Sequence, residues 1–412
     1  MREKREFEIV LFGATGFTGR LIAEYLAEHH GDSGLRWAIA GRSAAKLEAL
    51  RDELGLASLP VLVADSHDRA SLDAIAARTR VVCTTVGPYA RYGDALVAAC
   101  VAGGTDYCDL TGEVQWMQRT IDTHHEAARA RGARIVHCCG FDSIPSDLGT
   151  LMIQDFALEQ WGAPCTQVKF VVWRLSGAAS GGTLATVSNS IEEMGHNHEA
   201  RRAMADPYAL NPAAERRGPD GNFQRGVRHE AELDAWTAPF LMAPVNEKVV
   251  RRSNALLDYR YSRDFRYGES MSLGRGPMGA LKAIGFTAGV GAFVAAMAIA
   301  PTRKLLERYA LPAPGEGPSR DQIENGHFTI RLFGRGVDAE QKPFKVMGEV
   351  SASRDPGYGA TAIMLAESAI CLAREVGDIG LPAGVLTPAS AMGQRLVERL
   401  RGANMVFDVR ND

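Results

Sequence analysis

The chain has 412 residues, 46% of them hydrophobic and 23% charged, which is the composition of a folded protein and excludes a largely disordered one. This length predicts two domains, and a formal net charge of -3 provides no overall attraction to nucleic acid or to an anionic membrane. The seven cysteines are odd in number and lack the spacing of a zinc or redox motif, so we expect reduced thiols, no metal site and a cytoplasmic protein.

Strand-like and helix-like segments alternate through the first third of the chain. Amphipathic helices are predicted at 21–29, 44–53, 71–78, 94–102 and 120–131, and the apolar strands that they separate at 8–14, 36–42, 59–65, 80–87, 104–110 and 133–140. Strands that are apolar throughout and separated by helices are typical of a parallel sheet covered on both faces. We therefore expect an α/β fold in which residues 1–150 form a doubly wound Rossmann sheet.

The middle of the chain, residues 151–356, has a different pattern. Alternating residues at 165–175 and 248–267 predict antiparallel strands, and 327–337 with 343–352 predict a hairpin. Residues 203–225, rich in Pro, Gly and Asn, predict an exposed excursion. A second α/β domain with a largely antiparallel sheet is expected here, followed by helices at 358–374 and 389–401.

One segment of this second region departs from the pattern of a soluble domain. Residues 283–300 carry no charge over 18 positions and are flanked by Lys282 and by Arg303 and Lys304. That length is near the lower limit for crossing a bilayer, about 17 to 25 residues, and the Ala and Gly content is only weakly apolar. A packed helical hairpin, a helix at a membrane surface and a membrane span all stay open.

The stretch "IVLFGATGFTGR" places three glycines directly after the first predicted strand. In a dinucleotide-binding turn, Gly13 allows the tight turn, Gly16 lets the backbone approach the pyrophosphate, and Gly19 lets the helix pack closely on the sheet. The alternative is a plain strand-to-helix turn. The predicted cofactor-binding residues of this turn are Gly13, Thr15, Gly16, Phe17, Thr18 and Gly19.

The end of the second predicted strand bears on which dinucleotide binds. A site for NAD carries a carboxylate there, whereas this chain has "AGRSAAKL" with Arg42, Ser43 and Lys46. Two cations and a hydroxyl suit a 2′-phosphate, so we expect NADPH rather than NADH. The alternative is that Arg42 and Lys46 are solvated residues at the start of a helix.

Two further loops are predicted to lie along the cofactor. Asp65 closes the third strand and would bind the adenine amine or cap the following helix. "TTVGPY" closes the fourth strand, and its Val86, Gly87 and Pro88 would bring backbone close to the nicotinamide ribose.

The sequence contains no motif that identifies the catalytic acid as clearly as the glycine turn identifies the cofactor site. No tyrosine has a lysine four residues later, which disfavours a short-chain dehydrogenase. A hydride transferred to carbon must be matched by a proton to the neighbouring atom, which a tyrosine or a carboxylic acid with a raised pKa supplies. The expected donors are Tyr89, Tyr107 and Asp142, with packing or helix capping as the alternative role for each.

Taken together, these motifs resemble a known family. "FGATGFTG", "AGRS" with "KL", "TTVGPY", "YCDLTGE", "GFDSIPSD", "SGGTLATV" and the late "GVLTPASAMG" are similar to the saccharopine dehydrogenase-like oxidoreductases, within them to the trans-acting enoyl reductase subfamily. The resemblance covers essentially the whole chain. It implies a Rossmann domain completed by C-terminal helices from 357–412, and NADPH-dependent reduction of a carbon–carbon double bond in an enoyl intermediate on a polyketide synthase.

The leading expectation is therefore an enoyl reductase acting on a thioester-bound polyketide or lipid intermediate. Its partners would be the acyl thioester, bound to a carrier domain of the synthase, and a second copy of the chain in a homodimer; nucleic acid is not expected. The Arg-rich stretch 258–267 would dock an acidic carrier domain or simply be a half-exposed strand. Alternatives are an imine or carbonyl reductase and a non-catalytic Rossmann protein that contacts a membrane through 283–300.

Overall fold

Two seven-stranded sheets organise the chain in a computed structural model that describes residues 5–177, 188, 191–309, 317–376 and 382–412. The strands are β1 (Phe7–Phe12), β2 (Trp37–Gly41), β3 (Val61–Val63), β4 (Thr79–Thr84), β5 (Asp106–Cys108), β6 (Arg134–Val136), β7 (Gln167–Ser176), β8 (Arg228–Glu230), β9 (Ala235–Pro239), β10 (Arg266–Gly274), β11 (His327–Val337), β12 (Pro343–Ala352), β13 (Gly384–Leu386) and β14 (Val406–Asn411).

Helices cover both sheets and connect their strands. They are α1 (Phe17–His30), α2 (Ala44–Glu53), α3 (Arg69–Arg78), α4 (Tyr89–Tyr92), α5 (Asp94–Gly103), α6 (Val114–Arg131), α7 (Ile144–Trp161), α8 (His198–Ala205), α9 (Ala243–Leu256), α10 (Gly276–Ala298), α11 (Ala300–Tyr309), α12 (Arg320–Asn325), α13 (Thr361–Arg374), α14 (Pro388–Ala391) and α15 (Gln394–Gly402).

The first sheet is parallel throughout, in the order β13-β6-β5-β4-β1-β2-β3. Every residue of β1 and β2 is buried, as expected for strands covered by helices on both faces. The strand order reverses between β1 and β4, and a doubly wound sheet binds its ligand at the carboxyl ends of the strands flanking such a point. The predicted Rossmann fold is confirmed.

The C-terminal part of the chain contributes to both sheets. The Glu367 carboxylate on α13 accepts a hydrogen bond from the Tyr25 hydroxyl on α1 at 2.6 Å, and Arg374 binds the Glu8 carboxylate on β1 at 2.9 Å. Strand β13 extends the first sheet beside β6, whereas β14 pairs with β12 of the second sheet. The division of the chain at residues 1–150, 151–356 and 357–412 stays a prediction.

The second sheet has the order β14-β12-β11-β7-β10-β9-β8, and only the pair β7 and β10 is parallel. The expected hairpin is formed by β11 and β12, whose residues alternate between buried and partly exposed. Helix α7 covers the buried face. A Cβ atom at Gly149 would lie 3.2 Å from Leu332 and Val350, so the helix and the sheet pack closely. The predicted, largely antiparallel second sheet is confirmed.

The strand predicted at 248–267 is wrong, because its first part, up to Leu256, belongs to the helix α9. Its apolar Val245 and Val249 are buried one helical turn apart, and its arginines are buried as well. Arg251 binds the Asp220 and Glu247 carboxylates at 2.9 Å, and Arg252 donates to two backbone carbonyls. The alternation of apolar and charged residues that predicted a strand therefore comes from charges that are buried and paired.

The loops around α9 also differ from expectation. Residues 203–225 are not simply exposed: Leu210 is buried, and its carbonyl accepts a hydrogen bond from the Arg252 guanidinium. In the Arg-rich stretch 258–267 only the last two residues belong to a strand, since Asp258, Tyr259 and Ser262 have positive φ angles of 54°, 57° and 83°. Most of the strand predicted in this stretch is therefore a turn.

The helix expected at 389–401 is divided into α14 and α15 at Gly393, whose φ angle of +56° suits glycine and interrupts helical geometry. The motif "SGGTLATV" at 180–187 lies outside the described residues.

The apolar segment 283–300 falls mainly within α10. Within the described chain this helix is the one long and apolar enough to cross a membrane, by length and composition alone, with a mean hydropathy of 1.6. Only 11% of its most apolar window is buried, so it is not a core helix.

Buried carboxyls at the junction of α9 and β10 predict a pH-dependent stability. Glu269 accepts hydrogen bonds from Tyr267 at 2.8 Å and from Asn246 at 3.0 Å, and burial raises its pKa from 4.5 to about 8. The folded protein therefore holds a proton that the unfolded chain releases, and this stabilisation is lost as pH rises from 4.5 to 8.

We expect Glu269→Gln to weaken this dependence, since one proton accounts for about 1.4 kcal/mol of the free energy of unfolding per pH unit. Urea unfolding across that pH interval measures the slope. The exposed Glu398→Gln is the control and should keep the slope of the parent protein. Equal slopes for Glu269→Gln and the parent would contradict the assigned proton.

Candidate functional site

The glycine turn lies between β1 and α1 and depends on close contacts. Gly13 has a φ angle of +92°, and a Cβ atom there would lie 2.7 Å from the Val86 side chain. A Cβ atom at Gly19 would overlap the Gly13 carbonyl oxygen. Both positions therefore require glycine, one because of backbone conformation and neighbouring side chains, the other because the helix contacts its own turn.

The third glycine is less crowded than the other two. Among the described residues, a Cβ atom at Gly16 would meet only the Gly13 carbonyl oxygen, at 3.3 Å, and both Thr15 and Gly16 are exposed. Gly16 begins α1 without a side-chain cap on the first amides of the helix. A diphosphate fits at this position, because amide groups at a helix N-terminus bind anions.

Basic residues follow β2 directly. The side chains of Arg42 and Lys46 are exposed and have no ion-pair or hydrogen-bond partner in the described part of the chain. The Ser43 hydroxyl accepts the Lys46 amide at 3.4 Å and caps α2. Strand β2 lies next to β1, so these cations are at the same edge of the sheet as the glycine turn. They fit a phosphate on the adenosine ribose.

The loop after β4 is tied to the glycine turn. The Thr85 amide donates to the Phe12 carbonyl at 3.1 Å, and its hydroxyl donates to the Gly13 carbonyl at 3.2 Å. These bonds place Val86, Gly87 and Pro88 beside Gly13. The carboxylate of the other predicted residue, Asp65, accepts the His67 amide at 2.9 Å and stabilises the turn before α3.

Tyr89, one of the expected proton donors, is enclosed in the protein. Its hydroxyl donates to the Thr84 carbonyl at 3.2 Å, and burial raises its pKa above the usual value. Its amide and that of Ala90 donate to the Glu113 carboxylate at 2.7 and 3.0 Å. Burial raises the pKa of Glu113 although these two donors lower it. Glu113 therefore caps α4 and holds the loop after β4.

Tyr107, a second expected donor, belongs to a buried cluster centred on Asp109. The Asp109 carboxylate accepts four hydrogen bonds: from the Tyr107 hydroxyl at 2.8 Å, His137 Nδ1 at 2.7 Å, the Thr111 amide at 3.1 Å and the Cys138 amide at 3.2 Å. Asp109 follows β5 and His137 follows β6. The cluster therefore fixes two neighbouring loops at the carboxyl edge of the sheet.

Asp142, the third expected donor, lies between β6 and α7. It is partly exposed, burial of its carboxyl raises the pKa to about 6, and it has no hydrogen-bond or ion-pair partner among the described residues. The adjacent Phe141 packs edge-on against Phe328 of the second sheet, with ring centroids 4.8 Å apart. Asp142 thus lies where the two sheets meet.

Sequence reasoning did not identify the residues that support this loop. The Ser143 hydroxyl donates to Asn246 Oδ1 at 3.0 Å, and Asn246 Nδ2 donates to Glu269 at 3.0 Å. Asn246 lies just before the segment 248–267, for which a strand is predicted, and no local signal connects it to "GFDSIPSD". His137 falls within the strand predicted at 133–140 and is not among the expected catalytic residues.

A cavity of about 660 Å³ lies elsewhere, on the side of α1 that faces α12, α13 and α15. Its lining includes Tyr25, His30, Glu367 and Arg399 and none of the predicted cofactor or catalytic residues. The glycine turn is the better candidate for the cofactor because its open amides and unpaired cations match the chemistry of a dinucleotide.

Comparison with known proteins agrees with this geometry. Residues 9–136 match the family model of the saccharopine dehydrogenase NADP-binding domain. The trans-acting enoyl reductases of Mycobacterium tuberculosis and Mycobacterium ulcerans are each 42% identical to this chain over 416 residues. The alignments cover 98% of this chain and 98% and 97% of the two relatives.

A solved structure supports the fold. Saccharopine dehydrogenase (L-Glu forming) from Saccharomyces cerevisiae superposes with a TM-score of 0.55 over 98% of this chain and 100% of that chain. The sequences are 11% identical, so this similarity concerns the fold alone.

The contacts of Gly19 generate a prediction about the turn. Gly19→Ala places a methyl group against the Gly13 carbonyl, and we expect a loss of roughly 1 to 3 kcal/mol of stability together with weakened nucleotide binding. Gly31→Ala, at the other end of α1, is the matched control because its Cβ would meet nothing within 4 Å. Thermal unfolding and NADPH titration report the two effects; similar values for the two variants would contradict the close packing.

The unpaired cation after β2 generates a second prediction. Removing the guanidinium with Arg42→Ala should raise the KM for NADPH roughly tenfold to a hundredfold and leave the KM for NADH nearly unchanged, because only NADPH carries the extra phosphate. Arg51→Ala on the following helix α2, where Arg51 pairs with Asp52, is the control. An unaltered preference in Arg42→Ala would show that the phosphate is bound elsewhere.

Proposed function

Because the chain belongs to the trans-acting enoyl reductases of the saccharopine dehydrogenase-like oxidoreductases, we propose that it uses NADPH to reduce the carbon–carbon double bond of an acyl thioester. The observation that carries the reaction class is the match to enoyl reductases over the whole chain. The glycine turn with its open edge supports the nucleotide half of the proposal.

The residues present fit NADPH. The amides at the start of α1 and the open side of Gly16 would hold the diphosphate, with Thr15, Phe17 and Thr18 at the helix entrance. Arg42, Ser43 and Lys46 would bind the 2′-phosphate, and Val86 to Pro88 would lie along the nicotinamide ribose. The cofactor supplies the hydride for the β-carbon.

Reduction also requires a proton at the α-carbon, and Asp142 is the proposed donor. Its carboxyl lies at the carboxyl edge of the first sheet, has no partner among the described side chains, and has its pKa raised by burial to about 6. The hydroxyls of Tyr89 and Tyr107 already donate to Thr84 and Asp109, so these tyrosines hold the loops in the proposed mechanism. Asp142 would be reprotonated from solvent after each turnover.

The loop that carries Asp142 is braced from the second sheet. Ser143 binds Asn246, and Asn246 binds Glu269, so the position of the proposed acid depends on side chains more than a hundred residues away. A positioned acid contributes to catalysis only when it is held near the reacting atom, and this bracing provides that restraint.

The relatives are named trans-acting enoyl reductases, and a trans-acting reductase acts on an intermediate made by another protein. We propose that the substrate here is an enoyl thioester held by the carrier domain of a polyketide synthase, of the kind used to build lipids. The homodimer expected from the sequence stays a prediction.

The direct test is oxidation of NADPH on addition of α,β-unsaturated acyl thioesters of increasing chain length, carried on coenzyme A and on an isolated carrier domain. We expect turnover, with the saturated thioester identified by mass spectrometry. An oxo acid with an amine is the comparison, because it reports imine reduction. Turnover of that pair with no enoyl activity would reject the proposal.

Substitution of Asp142 tests its proposed role as the proton donor. We expect Asp142→Asn to lower kcat about a hundredfold or more while the Kd for NADPH stays unchanged. In the parent enzyme kcat should fall as pH rises above about 6, because the acid must be protonated, and this dependence should disappear in the variant. Asp142→Glu should retain part of the activity. An unchanged kcat in Asp142→Asn would assign the proton to another group.

A further inference from the structure

The helix α10 presents an apolar surface that the proposed reaction does not use. Its side chains Met278, Leu281 and Ile284 are 62%, 63% and 57% exposed, and they recur every third residue along one face. Val294 near the end of α10, Ile299 after it and Leu305 on α11 are exposed as well. Large exposed apolar surfaces of this kind mark sites of contact with a protein or a membrane.

The opposite side of α10 is fixed to the protein. Ala283 is fully buried, and a Cβ atom at Gly279 would overlap the Gly274 carbonyl and lie 3.4 Å from Trp236 on β9. The first turns of the helix therefore rest on the edge of the second sheet. A helix held in this way has one face for the protein and one face for a partner, and cannot cross a bilayer without leaving the sheet.

The charges around this surface are mostly basic. Residues 276–309 contain the basic residues Lys282, Arg303, Lys304 and Arg308 and one acidic residue, Glu307. Arg303 is paired with Glu192 at 3.4 Å, whereas Lys282 and Lys304 have no ion-pair partner within the ranges that the structure describes. Lys282 is exposed and lies four residues after Met278, so a free cation borders the apolar face at one margin.

We propose that the apolar face of α10 and α11 docks on the surface of an anionic lipid bilayer. Leu281 and Ile284 enter the boundary between headgroups and acyl chains, while the long stem of Lys282 lets its ammonium reach the phosphates. A symmetric contact between two copies would bring together two surfaces of net positive charge, because residues 276–309 carry four basic residues and one acidic residue. Charge therefore favours the lipid surface over a second copy.

Such docking is independent of the reaction. It would hold the enzyme at the surface where long acyl products of low solubility collect, and it requires neither NADPH nor substrate. The binding experiment can therefore fail while enoyl reduction succeeds, and the reverse.

The test is cosedimentation of the full chain with vesicles of phosphatidylcholine alone and of phosphatidylcholine mixed with phosphatidylglycerol. We expect binding to the mixed vesicles that weakens with added salt. Leu281→Glu combined with Ile284→Glu should lower the partition coefficient at least about tenfold. Lys282→Gln should lower it about fivefold on the mixed vesicles only.

The matched control is Val337→Glu combined with Val406→Glu, since these valines are 43% and 44% exposed on the second sheet. It should bind vesicles as the parent does. NADPH affinity and thermal unfolding must be the same in all variants, and Leu281→Gln replaces the double glutamate variant where folding is impaired.

Three outcomes would overturn the proposal. The first is a folded parent protein that binds neither vesicle. The second is a dimer, measured by light scattering, that the Leu281→Glu and Ile284→Glu substitutions convert to a monomer. The third is protein that detergent alone releases from vesicles, since that behaviour belongs to a spanning helix.

Discussion

The close approach of α1 to the end of β1 is the constraint on which the cofactor half of the molecule depends. Gly19 permits the helix to contact the Gly13 carbonyl, and the positive φ angle of Gly13 turns the chain between strand and helix. The Thr85 hydroxyl then joins the loop after β4 to the same carbonyl. A side chain at either glycine would separate these elements and close the space in which a diphosphate fits.

Buried polar groups hold together the loops that surround the proposed catalytic acid. Asp109 joins the loops after β5 and β6 through four hydrogen bonds, while Asn246 and Glu269 connect the next loop to the second sheet. Groups of this kind are costly to bury unless they are hydrogen-bonded, so their satisfied geometry restricts how the two sheets can meet. The proposed acid, Asp142, lies in the region that these contacts define.

The two proposals assign different functions to the first sheet and to α10 on the second sheet. The edge of the first sheet offers amides and cations to a nucleotide, and α10 on the second sheet offers apolar side chains and free lysines to a lipid surface. An enzyme that reduces lipid-like thioesters benefits from both, because its products are poorly soluble. The tasks share no residue, which allows each to be tested alone.

Local sequence by itself determined the parallel sheet, the glycine turn and the basic residues after β2, because apolar strands, glycine spacing and charge act within a few neighbouring positions. It misread part of α9 and the turn that follows it as a strand, since the pairing of Arg251 with Asp220 and Glu247 is visible only after folding. Only the tertiary structure decided that Tyr89 and Tyr107 are enclosed, whereas Asp142 has no hydrogen-bond or ion-pair partner among the described residues. Those differences arise from contacts between residues far apart in the chain, which no local pattern records.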